Sequence, residues 1–255
     1  MSNSSGFNIS AMSKYRKLSI VIPAYNEKDY IERILNIVRT VDLGYDLERE
    51  IIVVDDGSTD GTRDILRRLE NSDEFKGILK VIFHEKNQGK GGALNTGFKH
   101  VTGDIVVIQD ADLEYDPRDW KEMLRLFMEG WADVVYGSRF YGKSHRVLYY
   151  HHFMGNKVIT FFINLLYNMT FSDIEVCYKM FTKEVLDQLM PFRSKDFGFE
   201  VEITTRISKL ANKGKVRVYE TAINYYGRTY EEGKKIGWKD GFKALWYILK
   251  HKFVW

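Results

Sequence analysis

Short apolar runs rich in β-branched residues recur along the chain: LSIVIPA (18–24), EIIVVDD (50–56), LKVIFHE (79–85), DIVVIQD (104–110) and DVVYGSR (133–139). Their near-continuous hydrophobicity predicts strands buried on both faces. Between them, KDYIERILNIVRTV (28–41), STDGTRDILRRLE (58–70), GGALNTGFKHV (91–101) and PRDWKEMLRLFMEG (117–130) carry apolar residues at helical spacing. Strand and helix in alternation need crossover connections, so the expected class is α/β with a mostly parallel central sheet flanked by helices. Ligands of such sheets gather outside the carboxyl ends of the strands. The unusual loops fall at those ends: PAYNE after the first strand, DDGSTDG after the second, DADLE after the fourth and GSR after the fifth.

Beyond Arg139 the pattern changes. Aromatic and basic residues crowd YGKSHRVLYYHHF (141–153), followed by an apolar helical stretch, VITFFINLLYNMTF (158–171). A short strand near EVCYKMF, helices from Thr182 and over 198–212, a strand in KVRVYETAINY (215–225) and an aromatic helix from Gly237 complete the expected order. The stretch 158–171 is shorter than a membrane span needs and is interrupted by Asn164 and Asn168.

Composition narrows the class. The 255 residues are 44% hydrophobic, enough for a sizeable core, and three prolines with no Ser/Gly-rich linker predict one domain, 17–255. The polar segment 1–16 reads as a disordered leader. A net charge of +3 shows no excess typical of a nucleic-acid binder, and a single cysteine, Cys177, excludes an internal disulfide framework and fits a reducing, cytoplasmic setting.

The chemistry concentrates in VIQDADLEYDP (107–117). On an extended backbone Asp110 and Asp112 point to one face across Ala111, and Glu114 continues the row. Close carboxylates repel, so a positive group must offset them: a neighbouring Arg or Lys, or a hard divalent cation that leaves room for phosphate oxygens. In PAYNE, Pro23 suits a strand end, Tyr25 can contact a nucleoside and Glu27 can accept a hydrogen bond from it. Of Asp55 and Asp56, which face opposite ways, one can accept from a base and the other can order the turn; the sequence leaves open which. NQGKGGALNTG (87–97) lacks the P-loop spacing, but its glycines let amides approach phosphate and Lys90 can add charge.

IVIPAYNE, VVDDGSTDGT, NQGKGGALNTG, VIQDADLEYDP and GSR, in this order, resemble the family 2 inverting glycosyltransferases of the A-type nucleotide-diphospho-sugar fold, and among them the polyprenyl-phosphate (dolichyl-phosphate type) mannose and glucose synthases. The resemblance implies a UDP- or GDP-hexose donor, a Mg2+ or Mn2+ ion on Asp110, Asp112 and Glu114, and a division into a nucleotide-binding half (17–115) and an acceptor half (116–255) with a C-terminal lid and amphipathic helix. It also implies that Arg139 faces a sugar or acceptor phosphate, helped by Lys143 or Arg146, and that Arg228 with Lys234 or Lys235, in YYGRTYEEGKKIGW, closes over the diphosphate.

The implied reaction transfers a hexose to polyprenyl phosphate, whose oxygen is already ionised and needs no general base. Peripheral contact with the inner face of a membrane would follow, through the aromatic and basic residues of 149–171 and the C-terminal helix. SDIEVCYKMF departs from the lipid-linked pattern, and Glu114 stands where the family often has Gln. With a hydroxyl acceptor on a glycan or other soluble molecule, a carboxylate base is required, and Glu200 or Glu202 in DFGFEVEIT is the first suspect. A non-catalytic nucleotide-sugar binding module is the remaining alternative.

Overall fold

The computed structural model describes residues 14–196, 198–229, 231 and 238–253; Lys234 and Lys235 lie outside the described residues. The chain order is β1 (Lys17–Ala24), α1 (Ile31–Thr40), β2 (Glu48–Asp55), α2 (Thr62–Glu70), β3 (Leu79–Phe83), α3 (Lys90–Phe98), β4 (Ile105–Ile108), a 3-10 turn (Pro117–Asp119) into α4 (Trp120–Met128), β5 (Val134–Ser138), α5 (Tyr150–Tyr167), β6 (Lys179–Thr182), α6 (Lys183–Leu189), α7 (Gly198–Asn212), β7 (Val218–Ala222) and α8 (Trp238–Phe253).

The strands form one seven-stranded sheet in the order β3-β2-β1-β4-β6-β5-β7. The pairs of β1 with β2 and β4, of β2 with β3, and of β5 with β7 are parallel. Only β6 runs the other way, against both β4 and β5. The carboxyl ends of β1, β2, β4 and β5 therefore share one edge, and the loops singled out in the sequence meet there. The middle of the sheet is fully buried: Ile20, Val21, Ile22, Ile51 to Val54 and Ile105 to Ile108 have no exposed surface. Layers on both sides explain why these strands read as unbroken apolar runs. Helix α3 approaches closest, because Gly97 leaves no side chain where a Cβ would come within 2.6 Å of Val21 Cγ1.

Two segments differ from the sequence expectation. Tyr15, read as leader, is buried edge-on against Phe127, and the Arg16 amide donates to Asp104 at 2.7 Å. Helix α5 takes in YHHF (150–153) after the extended Tyr149 and stops at Tyr167, where Asn168 turns left-handed at φ 50° and Asn164 exchanges hydrogen bonds with the Phe171 backbone. Asparagine tolerates that conformation, and its amide competes with the helix for backbone partners, so 168–171 leaves the helix.

Candidate active site

A cleft of about 1300 Å³ opens at the carboxyl ends of the strands. Its first wall is built from loops tied to one another by backbone amides. Asn26, left-handed at φ 54°, donates its amide to Ser58 Oγ at 2.9 Å, and its side chain accepts from the Thr59 amide at 2.9 Å. The Glu27 amide donates to Thr62 Oγ1 at 3.0 Å and the Lys28 amide to Asp60 at 3.1 Å. These bonds spread Pro23, Tyr25 and Glu27 along the cleft, with Tyr25 39% exposed.

The structure divides the aspartate pair. Asp55 is fully buried beneath the loop, accepts from the Ser58 amide at 3.2 Å and pairs with Arg63 at 3.3 Å. Asp56 lines the cleft, accepts from the Gln88 and Gly89 amides at 2.9 and 2.8 Å, and lies 2.7 Å from His84 Nδ1. Asp55 thus forms the turn, while Asp56 fixes the glycine loop. That loop needs glycine: Gly89 has φ +88°, and a Cβ there would meet the Lys195 carbonyl oxygen at 2.4 Å.

The DADLE carboxylates converge by a turn, not by the strand alternation expected from spacing. β4 ends at Ile108, Leu113 is left-handed at φ 61°, and the Glu114 amide bonds back to Asp112 at 3.2 Å. Asp110 pairs with Lys90 at 2.9 Å, and Lys90 also reaches Glu200 at 3.2 Å. Lys90 is therefore a nearly enclosed member of the site. Burial opposes its charge, but Asp110, Cys177 and Glu200 outweigh this and hold the ammonium well above the ordinary lysine range. Ala111 lines the cleft between the aspartates.

Arg228 arrives from far along the chain and sits among the remaining acids, 2.6 Å from Asp112, 3.2 Å from Glu114 and 3.6 Å from Glu27. Its amide also donates to Glu114 at 3.0 Å, and Tyr225 Oη donates to the other Glu114 oxygen at 2.9 Å. Even so, burial, followed by the charges of Asp110 and Glu114, pushes the Asp112 carboxyl up to about 7 against the pull of Arg228. The cluster thus remains short of positive charge.

Among the described residues no three acid, imidazole or thiol side chains converge as a ready-made metal cage. Lys90 bridges Asp110 to Glu200, and Arg228 bridges Asp112, Glu114 and Glu27. The donor set nevertheless fits a hard cation of the magnesium kind, which takes one or two carboxylates and completes its shell with phosphate oxygens and water. Asp110, Asp112 and Glu114 all line the cleft and all face a cation, Asp110 facing Lys90 and the other two Arg228, while Glu114 also accepts from Tyr225.

The second wall carries Arg139, whose guanidinium makes a bidentate pair with Asp173 at 2.6 and 2.7 Å and stacks 5.1 Å above the Tyr225 ring. Asp173, held also by Asn156 at 2.7 Å, has its pKa lowered: burial opposes its charge, and Arg139 overrides it. Two nitrogens of Arg139 thus serve the protein, while its side chain still lines the cleft. Of its expected helpers, Lys143 pairs with Asp119 at 2.9 Å outside the cleft lining, whereas Arg146 lines the cleft and donates to the Gly227 carbonyl at 3.1 Å.

The two suspected bases separate. Glu200 lines the cleft, facing Lys90 with one oxygen and the fully buried Lys179 with the other. Glu202 is buried outside it, accepting from the Arg193 and Ser194 amides and pairing with Arg206 at 2.6 Å. Glu175 and Tyr225, which no sequence motif singles out, also line the cleft. A signal existed for the first: Glu175 and Lys179 are charges inside an otherwise apolar strand approach.

Comparison with known proteins agrees with this geometry. An uncharacterized glycosyltransferase of Nostoc sp. is 39% identical over 119 residues, 47% of this chain and 34% of that protein. The undecaprenyl-phosphate 4-deoxy-4-formamido-L-arabinose transferase of Proteus mirabilis is 27% identical over 228 residues, 89% of this chain and 65% of that protein. The chain thus spans about a third of the one and just under two thirds of the other. Among solved structures, glucosyl-3-phosphoglycerate synthase from Mycobacterium tuberculosis with Mn2+, UDP and glucosyl-3-phosphoglycerate superposes with a TM-score of 0.67 at 19% identity, covering 92% of this chain and 80% of that one. This likeness establishes a single-domain nucleotide-sugar transferase fold of the A type. The profile of "Glycosyl transferase family 2" matches residues 19–190, and the chain therefore belongs to that family of glycosyltransferases.

Proposed function

We propose that this glycosyltransferase moves a hexose from a UDP- or GDP-sugar to the phosphate of a polyprenyl phosphate, with inversion at the anomeric carbon. The observation that carries the acceptor is the lining of the cleft. The cleft that holds Asp110, Asp112 and Arg139 is also lined by Val147, Leu148, Phe153, Val158, Ile159 and Leu245, with His145, Arg146, His151 and His152 among them. That apolar lining beside basic groups suits a prenyl phosphate better than a wholly polar acceptor. The Proteus mirabilis relative, whose name specifies an undecaprenyl-phosphate sugar transferase, supports the same reading.

In this reading Tyr25 and Glu27 contact the nucleoside, while Asp56 holds the glycine loop beside the diphosphate. Asp110 and Asp112 would hold Mg2+ or Mn2+, which when bound would supply Lewis-acid neutralisation of the departing nucleoside diphosphate. Arg228 exchanges its carboxylate partners for diphosphate oxygens, joined by Lys234 of the same segment, as charge develops on the leaving group. Lys90 keeps Asp110 in place. Arg139, already oriented by Asp173, presents its remaining N–H donors to the acceptor phosphate. The acceptor oxygen attacks an oxocarbenium-like carbon.

Among the described residues no helix is long and apolar enough to cross a membrane. The acceptor is instead reached from the bilayer surface. Phe161 (59% exposed) and Leu165 (63%) on α5 and Trp246 (66%) on α8 supply apolar contact, and Lys250 and Lys252 supply charge facing anionic headgroups.

Incubating the protein with Mg2+ or Mn2+, a short polyprenyl phosphate and a panel of UDP- and GDP-sugars, with product mass spectrometry, tests this. A lipid-phosphate hexose is expected. Metal-dependent consumption of a nucleotide sugar without a lipid product would instead favour a hydroxyl acceptor.

A further inference from the structure

Among the described residues the acids around the cleft are paired with a cation or a backbone amide, although Glu200 Oε1 meets Lys90 as an ion pair without a hydrogen bond, and Glu175 stands apart. Asp110 and Glu200 share Lys90, Asp112 and Glu114 share Arg228, Asp173 holds Arg139, and Glu220 accepts from the Ser172 amide at 2.9 Å. Glu175, on the loop between α5 and β6, lines the same cleft, yet its Oε1 is buried with no hydrogen-bond partner. Leaving a carboxylate oxygen in that state is costly. Such a group either carries a proton or awaits a ligand.

The surroundings favour both. Burial first, then the charge of Glu200, pushes the Glu175 carboxyl up to about 7, against the pull of Lys179 and Arg139, while Asp173 adds to the rise. Lys90, Cys177, His151 and His152 line the same cleft. A phosphate arriving beside Arg139 is a further anion and drives the proton on more firmly.

We propose that Glu175 is an acceptor-binding residue that works as the neutral acid, donating a hydrogen bond from its carboxyl to an oxygen of the acceptor phosphate seated beside Arg139. This deepens, and rests on, the polyprenyl-phosphate reading. The step balances without it: the acceptor oxygen forms the bond to the anomeric carbon, the bond to the diphosphate breaks with its electron pair on the leaving group, and Glu175 keeps its proton. Its role is to hold the acceptor, not to ionise it, so an amide can replace it.

The test is titration calorimetry of the full chain with farnesyl phosphate in detergent at pH 6.5 and 8.5. Wild type, Glu175→Gln and Glu175→Ala are compared, with circular dichroism to check folding and kcat measured with the same acceptor. One linked proton with a pKa near 7 predicts that wild-type affinity falls about 20- to 30-fold across that range. Glu175→Gln, a donor at every pH, is expected to bind at pH 8.5 as tightly as at pH 6.5, within about 3-fold, with kcat within a few-fold of wild type. Glu175→Ala is expected to be weak at both pH values. A Gln variant that keeps the wild-type pH dependence overturns the proposal, as does one that binds normally but loses about 100-fold in kcat, the mark of a general base. Failure of wild type to bind farnesyl phosphate at either pH removes the lipid-phosphate reading itself.

Discussion

The two walls of the cleft are built on different physical principles. The first wall, proposed to face the donor, is a set of loops after parallel strands, shaped by side chains that accept neighbouring amides: Asp56 from Gln88 and Gly89, Asp60 from Lys28 and Thr62, Ser58 from Asn26. The second wall, proposed to face the acceptor, is built by helices and long-range ion pairs, with Arg139 fixed by Asp173, and Arg228 reaches across from its side to Asp112 and the proposed diphosphate site. A wall fixed by its own backbone presents a constant surface to a donor. One fixed by ion pairs can trade those partners for an anionic ligand, and the balance of charge decides when.

That difference can be broken most sharply at its meeting point. Replacing Asp112 by Asn should lower initial transfer rates by about 1,000-fold or more, since it removes a metal-facing oxygen where leaving-group charge develops; a loss below tenfold in a nucleoside-diphosphate release assay would dissociate Asp112 from the chemistry. Arg228→Ala should cost about 100-fold in kcat with a smaller change in acceptor KM. A purely structural Arg228 would lower the melting temperature and leave kcat of the folded fraction intact. Asp56→Asn places an amide against the Gly89 amide it now accepts from, and is expected to raise donor KM about tenfold while acceptor KM holds. Equal effects on both would merge the walls.

On the acceptor side, Phe161→Glu with Leu165→Glu should cut sedimentation with anionic vesicles several-fold and leave metal-dependent donor hydrolysis unchanged. Smallest is an effect on stability. The folded protein raises the Asp112 pKa from 3.8 to about 7, so this carboxyl favours the fold most below about pH 4, and its contribution is lost as the pH rises through 7. Metal-free Asp112→Asn is therefore expected to melt a few degrees above wild type at pH 8 and no higher than wild type at pH 4; the reverse order would contradict the electrostatic reading of the cluster.

The same contrast governs how much could be read from the sequence. β1 to β5 and their helices were legible because periodicity and β-branched runs are local signals, and so were the loop ends that carry Tyr25, Asp56 and Asp110. The shape of DADLE was not. Two-residue spacing suggested an extended row, whereas Leu113 adopts a left-handed conformation that an L-residue rarely takes and that no composition announces. The partners of Arg139, Lys143 and Lys90 are separated from them by long stretches of chain, so the sequence does not announce Asp173, Asp119 and Asp110 as the acids that hold them. Glu202 illustrates the same limit, since two residues beyond Glu200 a helix turns its carboxylate toward Arg206 and away from the cleft.

The proposed delivery of a hexose to a lipid phosphate is decided by offering the enzyme one nucleotide sugar with Mn2+ and, in parallel, a short polyprenyl phosphate or the corresponding polyprenol. Products are read by mass spectrometry. The account predicts a hexosyl-phosphate lipid from the first and no glycoside from the second. Equal or greater transfer to the alcohol would contradict it.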